Sequence, residues 1–359
     1  MPTSPEPIEA VSQRLDTFLS EQLLYAAALG PEAEMLTRAG VAALRGGKRL
    51  RARFCLTGWR AVHPSPTGFD DAALAVSTSL EIFHAAALVH DDLVDNSDTR
   101  RGQPAAHRAL QSAHRDAGWT GDSDVFGRSG AILLGDLLVA WSDDLFEEGL
   151  RASSTADATR RAYAQMRRDV TIGQFLDVAE ESAHTAYPDE THAERALRVA
   201  SYKSARYSIQ QPLQIGASLA GADDAQLDAL GRFGHDVGMA FQLRDDVLGV
   251  FGDSAVTGKP VGDDLREGKR TVLVAYAREA VSPEERHLID RRLGDPDLDA
   301  EQIGILQQTI VETGALARTE RLIADYARRA DLALADAPLE SAAVAELRAL
   351  ARAATERAA

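Results

Sequence analysis

Apolar residues recur along this chain at three- and four-residue spacing, as in Val11-Leu15-Phe18-Leu19 and Leu322-Ile323-Tyr326, with Ala, Leu, Arg and Glu dominating the intervals. That period puts apolar side chains on one face of a helix, and those residue types are strong helix formers. No convincing run of alternating β-branched residues is found, so strands are not expected. Breakers separate the periodic stretches at Gly30-Pro31, Gly46-Gly47, Pro64-Ser65-Pro66, Gly102-Gln103-Pro104, Gly121-Asp122 and Gly258-Lys259-Pro260. The pattern predicts an all-α fold, one large helical bundle of about ten to thirteen helices around a central cavity, with no internal repeat. No linker divides the chain, so residues 9–359 read as one domain. The Pro-rich residues 1–8 are expected to be disordered, and the Ala/Arg/Glu-rich end after Pro338 to form a peripheral helix.

Two stretches are apolar enough to test as membrane spans, Ala72–His90 and Ala131–Trp141. The first carries Glu81 and His84; the second is short and carries Asp136. A span needs about 20 mostly apolar residues, so both are expected to be buried core helices and no integral membrane segment is expected. MPTSPEPIEA at the N-terminus has neither a basic nor an apolar signal region, so no signal peptide is expected. The single cysteine, Cys55, excludes an internal disulfide framework and fits a reducing, cytoplasmic setting.

A composition of 45% hydrophobic and 26% charged residues is that of a folded globular protein. The net charge of −16 argues against a nucleic-acid partner. It leaves room for a small anionic substrate where cations are concentrated. Arg45, Lys48, Arg49, Arg51 and Arg53 form one such cluster, Arg100 and Arg101 a second, and Lys259 to Arg270 a third. Only four of the 39 basic residues are lysines, Lys48, Lys203, Lys259 and Lys269. All four fall near motifs, and an ammonium does not replace a guanidinium.

The sharpest chemistry is His90-Asp91-Asp92-Leu93-Val94-Asp95, which closes the apolar pattern from Ala72. On a helix, Asp91 and Asp95 share a face and Asp92 lies beside Asp95. Like charges at that spacing repel, and at a helix C-terminus they also oppose the macrodipole. A sparse set of hard oxygen ligands suits Mg²⁺, which keeps waters and bridges to phosphates. A second acidic pair, Asp245-Asp246 in Phe241–Gly249, again ends an apolar helical run. Two such pairs facing one another across a bundle could hold a diphosphate through Mg²⁺ ions.

As a set, these motifs are similar to those of the trans-isoprenyl diphosphate synthases, the polyprenyl synthetase family, including the bacterial geranylgeranyl diphosphate synthases. The resemblance runs from about Gly46 to Thr271: GGKRLR at Gly46–Arg51, DDLVD at Asp91–Asp95, RRGQP at Arg100–Pro104, GDLL at Gly135–Leu138, GQFLD at Gly173–Asp177, FQLRDD at Phe241–Asp246 and GKPVGDDLREGKRT at Gly258–Thr271. It implies the isoprenoid synthase fold, a homodimer, and a transferase joining isopentenyl diphosphate to an allylic diphosphate by ionisation, condensation and elimination.

By resemblance, Lys48 and Arg51, with Gly47 allowing close backbone approach, bind the isopentenyl diphosphate, completed by His84 and Arg101. Guanidinium and ammonium groups suit phosphate oxygens; His84 has a second reading as a core histidine. Asp91, Asp92, Asp95, Asp245 and Asp246 are implied to hold Mg²⁺ and the allylic diphosphate, which Arg100, Lys203 and Lys259 contact. Asp91, Lys203 and Asp245 are the residues most directly tied to catalysis. Gln174, Asp177 and Gln242 are open between a site role and a buried structural one, and Lys269 resembles a gating residue near the site mouth.

The chain departs from the family at Gly249, where the second motif usually ends in aspartate, at Ala52 for a usual proline, and at Ser204, beside the diphosphate-binding Lys203, for a usual threonine. Chain length in the family is set upstream of the first motif. Ala86 and Ala87 are small, while Phe83 lies about 12 Å up the helix from Asp91 at 1.5 Å per residue. Phe83 is read either as the floor of the tail site, favouring a twenty-carbon product, or as core. Two rival readings remain: a class I terpene cyclase, which needs no isopentenyl site, and a regulatory subunit of a heteromeric synthase, which normally lacks one aspartate centre.

Overall fold

Helices α1 (Pro7–Leu29) and α2 (Pro31–Ala43) each begin on a proline, a residue favoured in the first helical turn, where its missing N–H is not needed. The computed structural model describes residues 7–63, 68–252 and 261–355. The expected disorder of residues 1–8 therefore falls mostly outside the described residues, and Pro7 and Ile8 are already helical. Next come α3 (Leu50–Val62), α4 (Asp71–Val94), α5 (Ala106–Asp116), α6 (Ser123–Leu150) and α7 (Ala156–Ala183). Helix α8 (His192–Val199) runs through a π-helical segment, Ala200–Gln210, into α9 (Gln211–Leu219). Beyond α10 (Asp224–Phe251) lie α11 (Asp263–Arg266), α12 (Val272–Ala280), α13 (Pro283–Arg292), α14 (Ala300–Glu312), α15 (Ala315–Ala333) and α16 (Ser341–Thr355). The architecture is all-helical, as the periodicity predicts.

The expectation of no strands needs one correction. Thr99–Arg100 (β1) and Gln103–Pro104 (β2) pair antiparallel. The two residues between them, Arg101 and Gly102, have φ of 53° and 72°. Positive φ at both central positions is the geometry of a tight hairpin turn that follows strand twist. Four strand residues are too few for any alternation to be read in the sequence.

Two helices are buried on two sides, and these carry the aspartates. On α4, Val76, Leu80 and Phe83 pack with Leu56 and Trp59 of α3 and Tyr163 and Met166 of α7. Its other face, with Ile82, Ala86 and Val89, meets Leu15 and Phe18 of α1 and Leu134 and Leu138 of α6. On α10, Leu230, Phe233 and Val237 join Phe54 of α3 and Leu213 of α9, whereas Leu243, Val247 and Val250 join α12, α14 and α15. Each fully buried Leu or Phe contributes roughly 1.5–3 kcal/mol relative to exposure, so both motif helices are fixed along their length. Asp70 caps α4 by accepting from Ala73 N at 2.6 Å. A reciprocal capping box between Asp223 and Gln226 starts α10.

Two further expectations change. Helix α16 is not merely peripheral: Ala343, Leu347, Leu350 and Ala354 form a buried stripe against the Phe54–Phe233 cluster. Of the two apolar stretches, both belong to helices long and apolar enough by length and composition to cross a membrane. The α4 stretch is mostly buried, as expected, but α6 is 28 residues long and leaves Val125, Ile132 and Leu133 exposed.

Candidate active site

Asp91 and Asp92 occupy the last turn of α4 and Asp95 is its C-cap. Asp92 is buried and receives the Arg100 guanidinium, with Nε 2.8 Å from Oδ1 and a second, shorter bond from Nη2. The same Nη2 lies 3.4 Å from Asp91 Oδ2. The β hairpin thus delivers Arg100 to the acidic helix end, while its turn aims Arg101 elsewhere. From α7, the Gln174 amide donates to Asp91 Oδ1 at 2.8 Å. From the π-helical segment, Lys203 Nζ donates to Asp177 Oδ2 at 2.5 Å and stands 3.7 Å from Asp91 Oδ1. This pairing needs α7 to touch the π-helix backbone: a Cβ on Gly173 would lie 2.4 Å from Lys203 N. Gln174 and Asp177 both reach the first centre. Ser204 beside Lys203 is half-buried.

Electrostatics mark the same carboxylates. Burial first, and then the Asp91 charge, push the Asp95 carboxyl up to about 6. Asp92 is also raised by burial, against the opposing pull of Arg100. In the second centre, Asp246 of α10 is buried and pushed up to about 7 by burial and then by the Asp264 and Asp245 charges. The Gln242 amide donates to Asp246 Oδ1 at 2.7 Å, so Gln242 is a partner of the second centre. Lys269 Nζ bonds Asp264 Oδ1 at 3.0 Å and Glu267 Oε2 at 2.6 Å, and its charge acts on both Asp95 and Asp246. Lys269 is thus held by two acids of the segment after α10, within electrostatic reach of both centres.

A separate guanidinium cluster lies beside them. Arg51, buried, donates to Ser208 Oγ at 2.9 Å and stacks 4.1 Å above the Tyr207 ring. Its Nε is buried without a hydrogen-bond partner among the described residues. Glu81 accepts from Ala52 N at 2.9 Å and pairs with Arg49 at 3.9 Å. Gly47 has φ of 86°, and a Cβ there would stand 3.0 Å from both terminal nitrogens of Arg101. Only glycine combines that left-handed backbone with room for the guanidinium. Lys48 is exposed in the same loop. His84 meets this cluster: Tyr207 Oη lies 3.4 Å from its Nδ1, and burial followed by Arg51, Arg101, Arg100 and Arg49 holds its pKa well below the ordinary value. A neutral imidazole among four guanidiniums can share in binding an anion without adding to the repulsion.

The floor residues also separate. Phe83 and Ala87 belong to one apolar cluster, with the Phe83 ring edge-on to Tyr163 at 6.3 Å and to Tyr207 at 6.1 Å. Ala86 turns to the α1–α6 cluster instead, because consecutive residues on a helix diverge by about 100°. Lys259 lies outside the described residues. Sequence reasoning missed Tyr207, Ser208, Glu81 and Asp264; Ser208 and Tyr207 follow Lys203 by one helical turn, which is the signal that was available.

Among the described residues, no three His, Cys, Asp or Glu side chains converge on one cation position by themselves. The donor set still fits Mg²⁺, which takes one or two carboxylates and completes its shell with water and phosphate oxygens. The raised Asp95 and Asp246 carboxyls are groups whose mutual repulsion and burial a cation would relieve. Cavities of about 520 and 270 Å³ flank Gln210 and Gln214, but neither is lined by an aspartate of the two centres.

Comparison with known proteins identifies the family. The polyprenyl synthetase family profile matches residues 33–310. The chain is 31% identical over 305 residues to the geranylfarnesyl diphosphate synthase of Aeropyrum pernix, covering 84% of this chain and 87% of that one. It superposes with a TM-score of 0.88 on the geranylgeranyl pyrophosphate synthase of Corynebacterium glutamicum, solved with isoprenyl diphosphate and magnesium; the two are 40% identical, with 98% of each chain covered. The Caulobacter crescentus polyprenyl synthase, solved with calcium and isoprenyl diphosphate, gives a TM-score of 0.75 at 28% identity over 98% of this chain and 96% of that one. By the profile match over residues 33–310 and by these relatives, the chain belongs to the polyprenyl synthetase family and is a prenyl-transferring enzyme.

Proposed function

We propose that the protein condenses isopentenyl diphosphate with an allylic diphosphate into a longer trans-prenyl diphosphate, with geranylgeranyl diphosphate as the product. One observation carries this reading: Arg49, Arg51 and Arg101 make their contacts with Glu81, Ser208 and the Arg45 carbonyl, whereas the neighbouring Arg100 is held by Asp92 of the first acidic centre. A cyclase would use one diphosphate site; two unlike sites suit two diphosphates. Both acidic centres keep their leading carboxylate pair, which speaks against a purely regulatory subunit.

In this reading Asp91, Asp92 and Asp95, with Asp245 and Asp246, hold Mg²⁺, as the magnesium and calcium complexes of the relatives support. The bound ions would neutralise charge on the departing allylic diphosphate. Arg100 and Lys203 orient the allylic diphosphate oxygens, and Lys259 is assigned the same role. Asp177 and Gln174 hold Lys203 and Asp91 in place. Arg51, Arg101, Lys48 and His84 bind isopentenyl diphosphate so that its double bond lies against the allylic carbon, and Ser208 and Tyr207 fix Arg51. Phe83, Tyr163 and Tyr207 wall the tail site and exclude water that would quench the cationic carbon. The departed diphosphate accepts the final proton.

Relatives differ in product, geranylfarnesyl in one and geranylgeranyl in another. The twenty-carbon assignment rests on Phe83 as floor beyond the small Ala87. The homodimer is supported by the exposed apolar residues Ile132 and Leu133 of α6 and Ile172, Phe175 and Val178 of α7. A cytoplasmic setting is supported by the buried, unpaired Cys55.

The test is incubation of purified protein with Mg²⁺, isopentenyl diphosphate and each allylic primer, followed by chain-length analysis. A twenty-carbon diphosphate, abolished by chelator and by Asp91→Ala, is expected. A longer diphosphate would discard the Phe83 floor, and a hydrocarbon formed without isopentenyl incorporation would discard the transferase.

A further inference from the structure

Helix α3 starts without a cap of its own. Its N-cap residue, Arg49, is left-handed, at φ 49° and ψ 44°, and its side chain makes no capping hydrogen bond. A residue other than glycine keeps that backbone only where its surroundings hold it. Here the hold comes from α4. Glu81, buried, accepts the N–H of Ala52 at 2.9 Å and stands 3.9 Å from the Arg49 guanidinium. Ala52 is the third residue of α3, where an N–H has no partner within the helix. One carboxylate therefore grips the chain on both sides of Arg51. Arg101 feels the same charge: burial and then Arg49 lower its pKa, and Glu81 opposes them. Ala52 stands at the position of the usual proline, which has no N–H to give. The bond to Glu81 is available only because this residue is not proline.

We infer that Glu81 is a positioning residue for isopentenyl diphosphate: through the Ala52 N–H it fixes the turn that aims Arg49 and Arg51. Helix α4 also carries Asp91, ten residues on and about 15 Å along at 1.5 Å per residue. One rigid helix thus holds both the guanidinium cluster and the first acidic centre, and sets the spacing between the two diphosphates. The inference rests on the prenyl-transfer reading and adds to it a residue that acts through Arg49 and Arg51.

Charge and position pull in opposite directions at Glu81, and this makes the role testable. A buried anion beside an anion site weakens that site by repulsion. If charge were its only effect, removing it would tighten the binding of isopentenyl diphosphate. If it positions the guanidiniums, removing it weakens binding.

Steady-state kinetics with both substrates varied separates the two, with thermal unfolding as the check on folding. Glu81→Ala is expected to raise KM for isopentenyl diphosphate about tenfold, the scale of one hydrogen bond to a charged group. KM for the allylic primer and kcat should each move by less than about threefold. Ala52→Pro keeps the charge and removes only the N–H, in the first helical turn, where proline is tolerated. It is expected to raise the same KM, whereas Ala52→Gly, which retains the N–H, is expected not to. The double variant should be no worse than Glu81→Ala alone, because both changes break one bond. A lowered or unchanged KM for isopentenyl diphosphate in Glu81→Ala or Ala52→Pro would overturn the inference, as would equal rises for both substrates. Should Glu81→Ala fail to fold, Ala52→Pro against Ala52→Gly decides it. No turnover in the wild-type chain would overturn the prenyl-transfer reading together with it.

Discussion

Lys203 and Asp177 meet across two elements, the π-helical segment and α7, with the ammonium 2.5 Å from the carboxylate and only 3.7 Å from Asp91. The lysine is shared: one carboxylate anchors it, and another lies within reach of the same charge. Burial would lower its pKa, but the Asp177 and Asp91 charges raise it instead, so it stays cationic where an anionic substrate would arrive.

Lys203→Ala should leave Asp177 and Asp91 facing each other without compensation. Loss of a preorganised donor at a charged reacting group commonly costs about 10²-fold or more in rate. The expected outcome is a loss of that order in kcat, checked by steady-state kinetics with saturating isopentenyl diphosphate. Retention of wild-type kcat would remove Lys203 from the allylic site.

Arg51 presents a different case, since it is fixed by Ser208 Oγ at 2.9 Å and by the Tyr207 face. Arg51→Lys loses the flat, stacked fork and should behave much like Arg51→Ala. Both should raise KM for isopentenyl diphosphate by roughly 10- to 100-fold, from about 1.5–3 kcal/mol per charged hydrogen bond. The KM for the allylic primer should change little. An equal change in both constants would argue that the two diphosphates do not use separate sites.

The Asp246 carboxyl, raised to about 7 by burial and the nearby Asp264 and Asp245 charges, links stability to pH. Its native pKa exceeds the unfolded one, so the folded chain holds this proton more tightly. The resulting stabilisation is complete below the unfolded pKa and is lost as pH rises through about 7. Asp95, raised to about 6, acts in the same direction over a lower range. Without metal, wild-type Tm should therefore fall relative to Asp246→Asn between about pH 4 and 7. A wild-type Tm that rises relative to the variant over that range would contradict the burial of this charge.

Ala87 and Phe83 share one apolar cluster, one helical turn apart. Ala87→Phe is expected to shorten the main product by at least one five-carbon unit, and Phe83→Ala to lengthen it. Ala86→Phe points into the α1–α6 packing and should destabilise the chain instead, by about 1–3 kcal/mol for overpacking. Product chromatography and thermal unfolding separate these outcomes.

The sequence by itself determined the helices, the order of the motifs and the placing of both acidic groups at helix ends. These are local properties: a 3.6-residue period, breakers and carboxylates at spacings of three and four are legible in a short window. The family resemblance extended that reading to Arg51, Arg100 and Lys203, whose residue types already matched phosphate chemistry. Partners set by contacts distant in sequence were not legible. Ser208 meets Arg51 across 157 residues, and Asp264 occupies the volume beside Gly249 only because α11 packs back on α10. The two-residue hairpin that separates Arg100 from Arg101 was too short to leave a pattern, and the exposed face of α6 looked like core in the sequence. Hydrophobicity fixes which residues prefer burial, but which neighbour covers them, and which carboxylate fills a gap, is decided only when distant segments pack together.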